Sequence, residues 1–421
     1  MNRATVRLRR WRPRPSWPAL VAFLAIVGPG IITANVDNDA GGITTYSLAG
    51  ARYGYLLLWA LIPVTFALVV VQEMCARMGA ITGKGLADLI RENFGVRLTF
   101  FVMIGLLVAN LANTMAEFSG IAASGEIFGV SKYLTVPLAA LLVWWLVVKG
   151  SYRQVEKIFL VASLFYVSYV LSGLLARPEW GQVLHHTVTP TVHLRPAFMT
   201  MLIGVIGTTI APWMQFYQQS AVVDKGISAG DYGYCRTDVI VGCITAIIVA
   251  FFITLTTAAT LNVNHISINT AEDAALALRP LAGRYASYLF AFGLLNASLF
   301  AASILPLATA YSVCEGIGWE RGLNYSFKEA PEFYGLYGGL IALGAGFVLI
   351  PRAPLLVIMY LSQVANGILL PLVLIFMLAL INNPALMGRY RNSRTFNAIA
   401  WATVIIMIVL TLALVVTTFV G

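Results

Sequence analysis

The chain has 421 residues, 59% of them hydrophobic and only 11% charged, with a mean hydropathy of +0.82. Apolar runs of about 20 residues, the length a helix needs to cross the hydrocarbon core, recur along it, so it reads as a polytopic membrane protein rather than a soluble enzyme or binding module. The net charge of +9 sits in short segments between those runs, which marks topology and argues against a nucleic-acid surface.

Residues 1–17 carry Arg3, Arg7, Arg9, Arg10, Arg12 and Arg14. No small-residue cleavage site follows, and further spans come at once, so a cytoplasmic N-terminus is expected rather than a cleaved signal peptide. The first span, from Ala19 to Leu48, contains Gly28-Pro29-Gly30 and then Asn35-Val36-Asp37-Asn38-Asp39-Ala40-Gly41-Gly42. Carboxylates in the hydrocarbon region are costly and usually mark an ion or substrate path. Glycines beside them weaken the helix and leave carbonyls free at membrane depth, which is tolerated only around a protein-lined site. A broken helix that binds a cation is expected.

Ten more spans are expected, at about 46–76, 97–124, 132–148, 156–175, 197–219, 238–261, 283–312, 334–350, 354–381 and 395–419. With the N-terminus inside, twenty Lys and Arg fall on the cytoplasmic side and seven outside, which sets the C-terminus outside. The outer loop from Arg177 to Pro196 holds three of the four histidines, and the fourth, His265, also lies in an outer loop. Cys75, Cys235, Cys243 and Cys314 lack CxxC spacing and read as buried packing thiols. Glu73 and Arg77, four apart, are expected to pair, and Trp144, Trp145 and Trp180 to pack or anchor at the interface.

A second interruption, Gly204 to Gln215, falls five spans after the first, and Pro212 predicts a break near Ala211. Interrupted spans at corresponding positions of two halves point to an inverted-repeat transporter with its site at the midplane. One transmembrane domain, 1–421, is expected: residues 18–176 form the first repeat, 196–381 the second, and 395–419 an additional eleventh span.

Several motifs then stand in order. Gly28-Pro29-Gly30, Asp39-Ala40-Gly41-Gly42, Ala49-Gly50-Ala51-Arg52-Tyr53-Gly54-Tyr55 and Ile81-Thr82-Gly83-Lys84-Gly85-Leu86 lead, followed by Ala116-Glu117-Phe118, Ser362-Gln363-Val364, Leu370-Pro371 and Leu386-Met387-Gly388. Over nearly the whole length this resembles the natural-resistance-associated macrophage protein (Nramp) family of divalent-metal transporters, and the resemblance implies a LeuT-like fold. The family's first-span Asp-Pro-Gly-Asn falls on Asp39, Ala40, Gly41 and Gly42, so the aspartate stays and the asparagine becomes glycine. Its sixth-span Met-Pro-His falls on Ala211, Pro212 and Trp213, so thioether and imidazole are both missing. In this the chain is most similar to the Nramp-related magnesium transporter branch.

Ion chemistry argues the same way. Sulfur suits transition metals, whereas carboxylate, carbonyl and water suit magnesium, calcium and manganese. Magnesium keeps several waters and is held by one or two carboxylates, and losing side chains at 42 and 211 is expected to make room for them. The expected site is a largely hydrated Mg2+, with Mn2+ as second substrate, at Asp39, Gly42 and Ala211, with carbonyls near Val36 and Thr208 and the amide of Gln363. Asp37, Asn38, Glu117 and Trp213 are expected around it as supporting or relay groups, Glu117 being either such a relay or a structural acid paired with Asn110 or Asn113. No histidine lies in a span and the position before Glu117 that is acidic in many relatives is Thr114, so transport without obligatory proton symport is expected.

The chain is expected to be no enzyme and to need no cofactor, the ion being cargo. Its partners are the ion and the lipid bilayer, in a bacterial plasma membrane, with oligomeric state left open. The alternatives are a proton-coupled Mn2+/Fe2+ importer, a sodium-coupled amino-acid symporter on the same fold, and a non-transporting membrane receptor or assembly subunit.

Overall fold

A computed structural model describes residues 36–148, 163–322 and 325–420 of the chain. The basic N-terminal segment, Gly28-Pro29-Gly30 and Asn35 lie outside the described residues, as do the first part of span 1 and the start of span 5. Every regular element among the described residues is helical. In chain order the main helices are α1 (Ala40–Tyr53), α2 (Leu58–Thr82), α3 (Leu86–Phe94), α4 (Val96–Ile127) and α5 (Lys132–Val148). They continue with α6 (Val167–Leu175), α7 (Trp180–Val188), α8 (Pro196–Thr209), α9 (Pro212–Asp224) and α10 (Tyr232–Thr257). The last four are α11 (Ala286–Ile317), α12 (Pro331–Val348), α13 (Leu355–Ile381) and α14 (Arg394–Val420).

Seven helical segments among the described residues are long and apolar enough to cross a membrane, and two shorter ones are apolar as well. Their outward surfaces stay apolar. On α14, Trp401, Ile405, Val409 and Leu412 are all exposed; in water this would be a large unfavourable patch, and in a bilayer it is the solvent-matched face. Pro63, Pro137, Pro306 and Pro371 sit inside helices that continue past them, as spans supported by neighbouring helices allow.

Two expected boundaries shift. The helix after the first break runs to Tyr53, so Tyr46–Tyr53 belong to span 1, and span 2 starts at Leu58 rather than 46. Span 8 starts at Ala286 and ends at Ile317, one turn beyond the expected end. In both cases the apolar run is continuous through the change, so hydropathy alone misses it. Between 177 and 196, helix α7 carries His185 and His186.

Glycines in the Ile81–Leu86 motif have separate tasks. Gly83, at φ +65°, ends α2 in the left-handed conformation that costs glycine least. Gly85 opens α3 against Glu315, and a Cβ there would lie 2.0 Å from Glu315 Oε2. Around Glu315, Ser220 Oγ donates at 2.9 Å and Arg321 Nε lies at 3.2 Å, while Arg321 also meets Asp88. This polar knot ties the starts and ends of α3, α9 and α11 together. All four cysteines are buried and unbridged.

Candidate metal site between the broken helices

In an unbroken helix the carbonyls of Val36, Asp37 and Asn38 would accept from the N–H groups of Ala40, Gly41 and Gly42. Here two of those donors go to carboxylates. Ala40 N donates to Glu117 Oε2 at 3.3 Å and Gly42 N to Asp39 Oδ1 at 2.7 Å. Asp39 is thereby the N-cap of α1, with extended backbone at φ −73°, ψ −170°. The Asn38 carbonyl accepts from the Tyr166 hydroxyl. The helical donors of the Val36 and Asn38 carbonyls are thus taken by carboxylates, which make the break.

The facing break has a different cause. Helix α8 stops at Thr209, Ile210 leaves helical geometry at φ −125°, ψ 60°, and Ala211 is extended before Pro212 opens α9. The donor that would serve the Thr208 carbonyl is the nitrogen of Pro212, which has no hydrogen. Tyr46 of α1 and Thr209 of α8 share a hydroxyl hydrogen bond at 2.7 Å, which fixes the two broken helices side by side.

Gly42 marks where they meet. A Cβ on it would lie 2.7 Å from the Asp37 carbonyl oxygen, 3.4 Å from Thr208 Oγ1 and 3.5 Å from Asp39 Oδ1. Three oxygens from two broken helices thus converge on one point. The missing side chain at 42 leaves no open room: the Asp37 carbonyl occupies that space, a correction to the expectation from sequence. Thr208 Oγ1, Asp37 Oδ1, Asn38 Oδ1 and Glu117 Oε1 are all buried without a hydrogen-bond partner, an unfavourable set of acceptors unless something positive or protic meets them. Asp39, Asp37, Thr208, Ala211 and Gln363 are each 2–4% exposed, so the site is buried.

The third wall is α13. A Cβ on Gly41 would strike Gln363 Nε2 at 1.9 Å, and one on Gly207 would strike the Gln363 carbonyl at 2.2 Å. Gln363 therefore sits against both broken helices. Its amide is engaged, with Nε2 donating to Ser362 Oγ at 3.1 Å and Oε1 accepting from Asn366 at 3.0 Å. Asn366 and Asn113 exchange bonds at 2.9 and 3.0 Å, and Asn110 donates to Thr309 at 2.8 Å. The asparagines thus build an amide ladder, which overturns the reading of Glu117 as a structural acid paired with Asn110 or Asn113. Glu117 instead accepts from the Ala40 N–H.

Asp37 and Asn38 reach the site from the other face, where Asn38 Nδ2 donates to the Ala246 carbonyl at 3.4 Å. Trp213 is buried, its ring 6.1 Å from that of Tyr217. Tyr166, Tyr46 and Asn366 are the residues sequence reasoning missed. Each acts across a large sequence separation, and no local spacing announces it. No group of three or more His, Cys, Asp or Glu capable of holding a metal occurs among the described residues. Any ion here is held by few charges and several neutral oxygens.

Residues 30–417 match the family described as natural resistance-associated macrophage protein-like. The chain belongs to the Nramp family. Among curated Nramp-type relatives, it is 30% identical to divalent metal cation transporter MntH 1 of Pseudomonas aeruginosa over 89% of this chain and 88% of that protein. It is 28% identical to MntH of Erwinia tasmaniensis over 92% of each. The Eremococcus coleocola manganese transporter superposes with a TM-score of 0.77 at 23% identity, covering 96% of this chain and 88% of that one. Mhp1, a nucleobase-cation-symport-1 family transporter in a closed conformation, gives 0.56 at 14% identity over 92% of both. The Nramp fold, a LeuT-like inverted repeat of membrane helices, is therefore the fold of this chain, which is a membrane transporter protein and not an enzyme.

Proposed function

We propose that this protein transports divalent cations and prefers Mg2+, with Mn2+ as a second substrate, holding a largely hydrated ion against Asp39 between α1 and α8. The observation that carries the reading is the convergence of the Asp39 carboxylate, the Asp37 carbonyl and the Thr208 hydroxyl on one buried point beside Gly42. Between Val36 and Gly42, and between Thr208 and Trp213, there is no thioether, thiol or imidazole. Oxygen-only surroundings suit magnesium and manganese rather than softer ions. With no compact chelate of three charged ligands, the ion keeps water, as Mg2+ does most readily. The names of the curated relatives, divalent metal cation transporters, support the broader class.

In this reading the N-terminus and the Arg77 end of the bundle are cytoplasmic, in a bacterial plasma membrane, and the membrane potential drives uptake without obligatory proton symport. Support comes from the histidines, all of which lie outside the spans, in α7 and in loops. A second reading, a proton-coupled Mn2+ or Fe2+ importer, is favoured by one contact. Glu117 Oε2 takes the Ala40 N–H directly after Asp39, so two buried acids flank one turn of α1, and a proton held there would be displaced by an arriving cation.

Reconstituted liposomes separate the two. Mg2+ uptake should follow an imposed voltage and ignore an imposed pH gradient, and calorimetry should lose its Mg2+ signal in Asp39→Ala. Mg2+ accumulation driven by a pH gradient alone would establish the proton-coupled reading instead.

A further inference from the structure

Helices α2 and α8–α9 run parallel in one register. Ala60, Val64 and Ala67 share an apolar cavity of about 250 Å3 with Leu202, Ile206 and Ile210. Farther along, the Cβ position of Gly79 lies 2.9 Å from the Gln219 carbonyl and 3.1 Å from Val222. Gln72 and Gln215 each precede Gly79 and Val222 by about two helical turns, so they fall on the same faces and at the same level. That level lies one turn past the break at Ala211, toward Arg77.

Both side chains are buried, at 3% and 0% exposure, and none of their four amide atoms has a hydrogen-bond partner. Two facing primary amides that do not bond each other, at full burial, are costly unless they serve a guest. Gln219, one turn on along α9, likewise has an unpartnered Oε1 while its Nε2 holds the Lys84 carbonyl. Glu73, beside Gln72, is paired with Arg77 at 3.0 Å.

We propose that Gln72 and Gln215 form a second, transient station for the hydrated divalent cation, between the Asp39 site and the Arg77 end. Amide oxygens and N–H groups grip the water shell without the charge that would trap the ion. Passage needs sites that bind weakly enough to release. The station rests on the cation-transport reading above.

The test uses the full chain, with Mg2+ and Mn2+ as probes, on Gln72→Leu, Gln215→Leu and Gln215→Glu. The leucine variants should keep the parent's calorimetric affinity and unfold at or above the parent's midpoint, since only unpartnered amides are removed, while uptake falls about tenfold. Gln215→Glu should titrate a second ion per chain and slow its release. Leucine variants that transport like the parent, or a Gln215→Glu that binds a single ion, would overturn the station. If the leucine variants do not fold, the Gln215→Glu stoichiometry decides alone. A parent that binds Mn2+ but no Mg2+ would refute the magnesium preference, and the same stoichiometry, read with Mn2+, would still decide the station.

Discussion

At Gly42 the informative feature is what a side chain would displace. Restoring the asparagine found at this position in the Nramp motif pushes a Cβ to within 2.7 Å of the Asp37 carbonyl oxygen. Backbone cannot swing aside as the tip of a flexible chain can. Gly42→Asn is therefore expected to move one of the converging oxygens and lower Mg2+ uptake about tenfold or more. Ala211→Met acts differently. It places a soft donor at the second break, and its added bulk at a position 2% exposed costs about 1–3 kcal/mol of packing. Competition between Mn2+ and Mg2+ in reconstituted uptake should shift toward Mn2+ in Ala211→Met. A ratio identical to the parent would separate residue 211 from ion selection.

Each of the two broken elements has its own cause, and this decides how much of them could be read in advance. The second break was legible because proline at 212 acts locally: it lacks the hydrogen that the Thr208 carbonyl needs. The first was legible in part. Acids and glycines marked the place, but the break is held by Glu117 and Tyr166, which arrive from other spans through bonds that no spacing encodes. For the same reason no local spacing announces the amide ladder from Gln363 through Asn366 to Asn113, which takes up the asparagines that the structural-acid reading of Glu117 would have paired with it. The boundary between spans 1 and 2 slipped because both sides of it are equally apolar. Pro212→Ala tests the local cause, since it gives the Thr208 carbonyl a donor and lets α8 run on into α9. Thermal unfolding should hold or rise slightly while Mg2+ uptake drops; parental uptake would mean that the Thr208 carbonyl takes no part.

Over the whole molecule, Arg77 ties the first half of the chain to the segment that leads into the last helix. Its guanidinium meets Glu73 at 3.0 Å and donates to the carbonyls of Tyr390 at 3.0 Å and Arg391 at 3.2 Å, as well as to the Asn392 side chain. Asn392 and Asn382 both bond Asn397. The linker between α13 and α14 is thus fastened to the end of α2, on the helix that carries Gln72, and α13 in turn carries Gln363. Arg77→Ala would leave Glu73 buried without its counter-charge, which costs about 3 kcal/mol, whereas Glu73→Gln with Arg77→Leu removes both charges and should cost less. Thermal unfolding of the three proteins should follow that order, and amide exchange in the 388–393 linker should rise in both variants. If the double variant unfolds at or below the temperature of Arg77→Ala, the tie works through its backbone hydrogen bonds alone, and the buried ion pair adds nothing to how the linker is held.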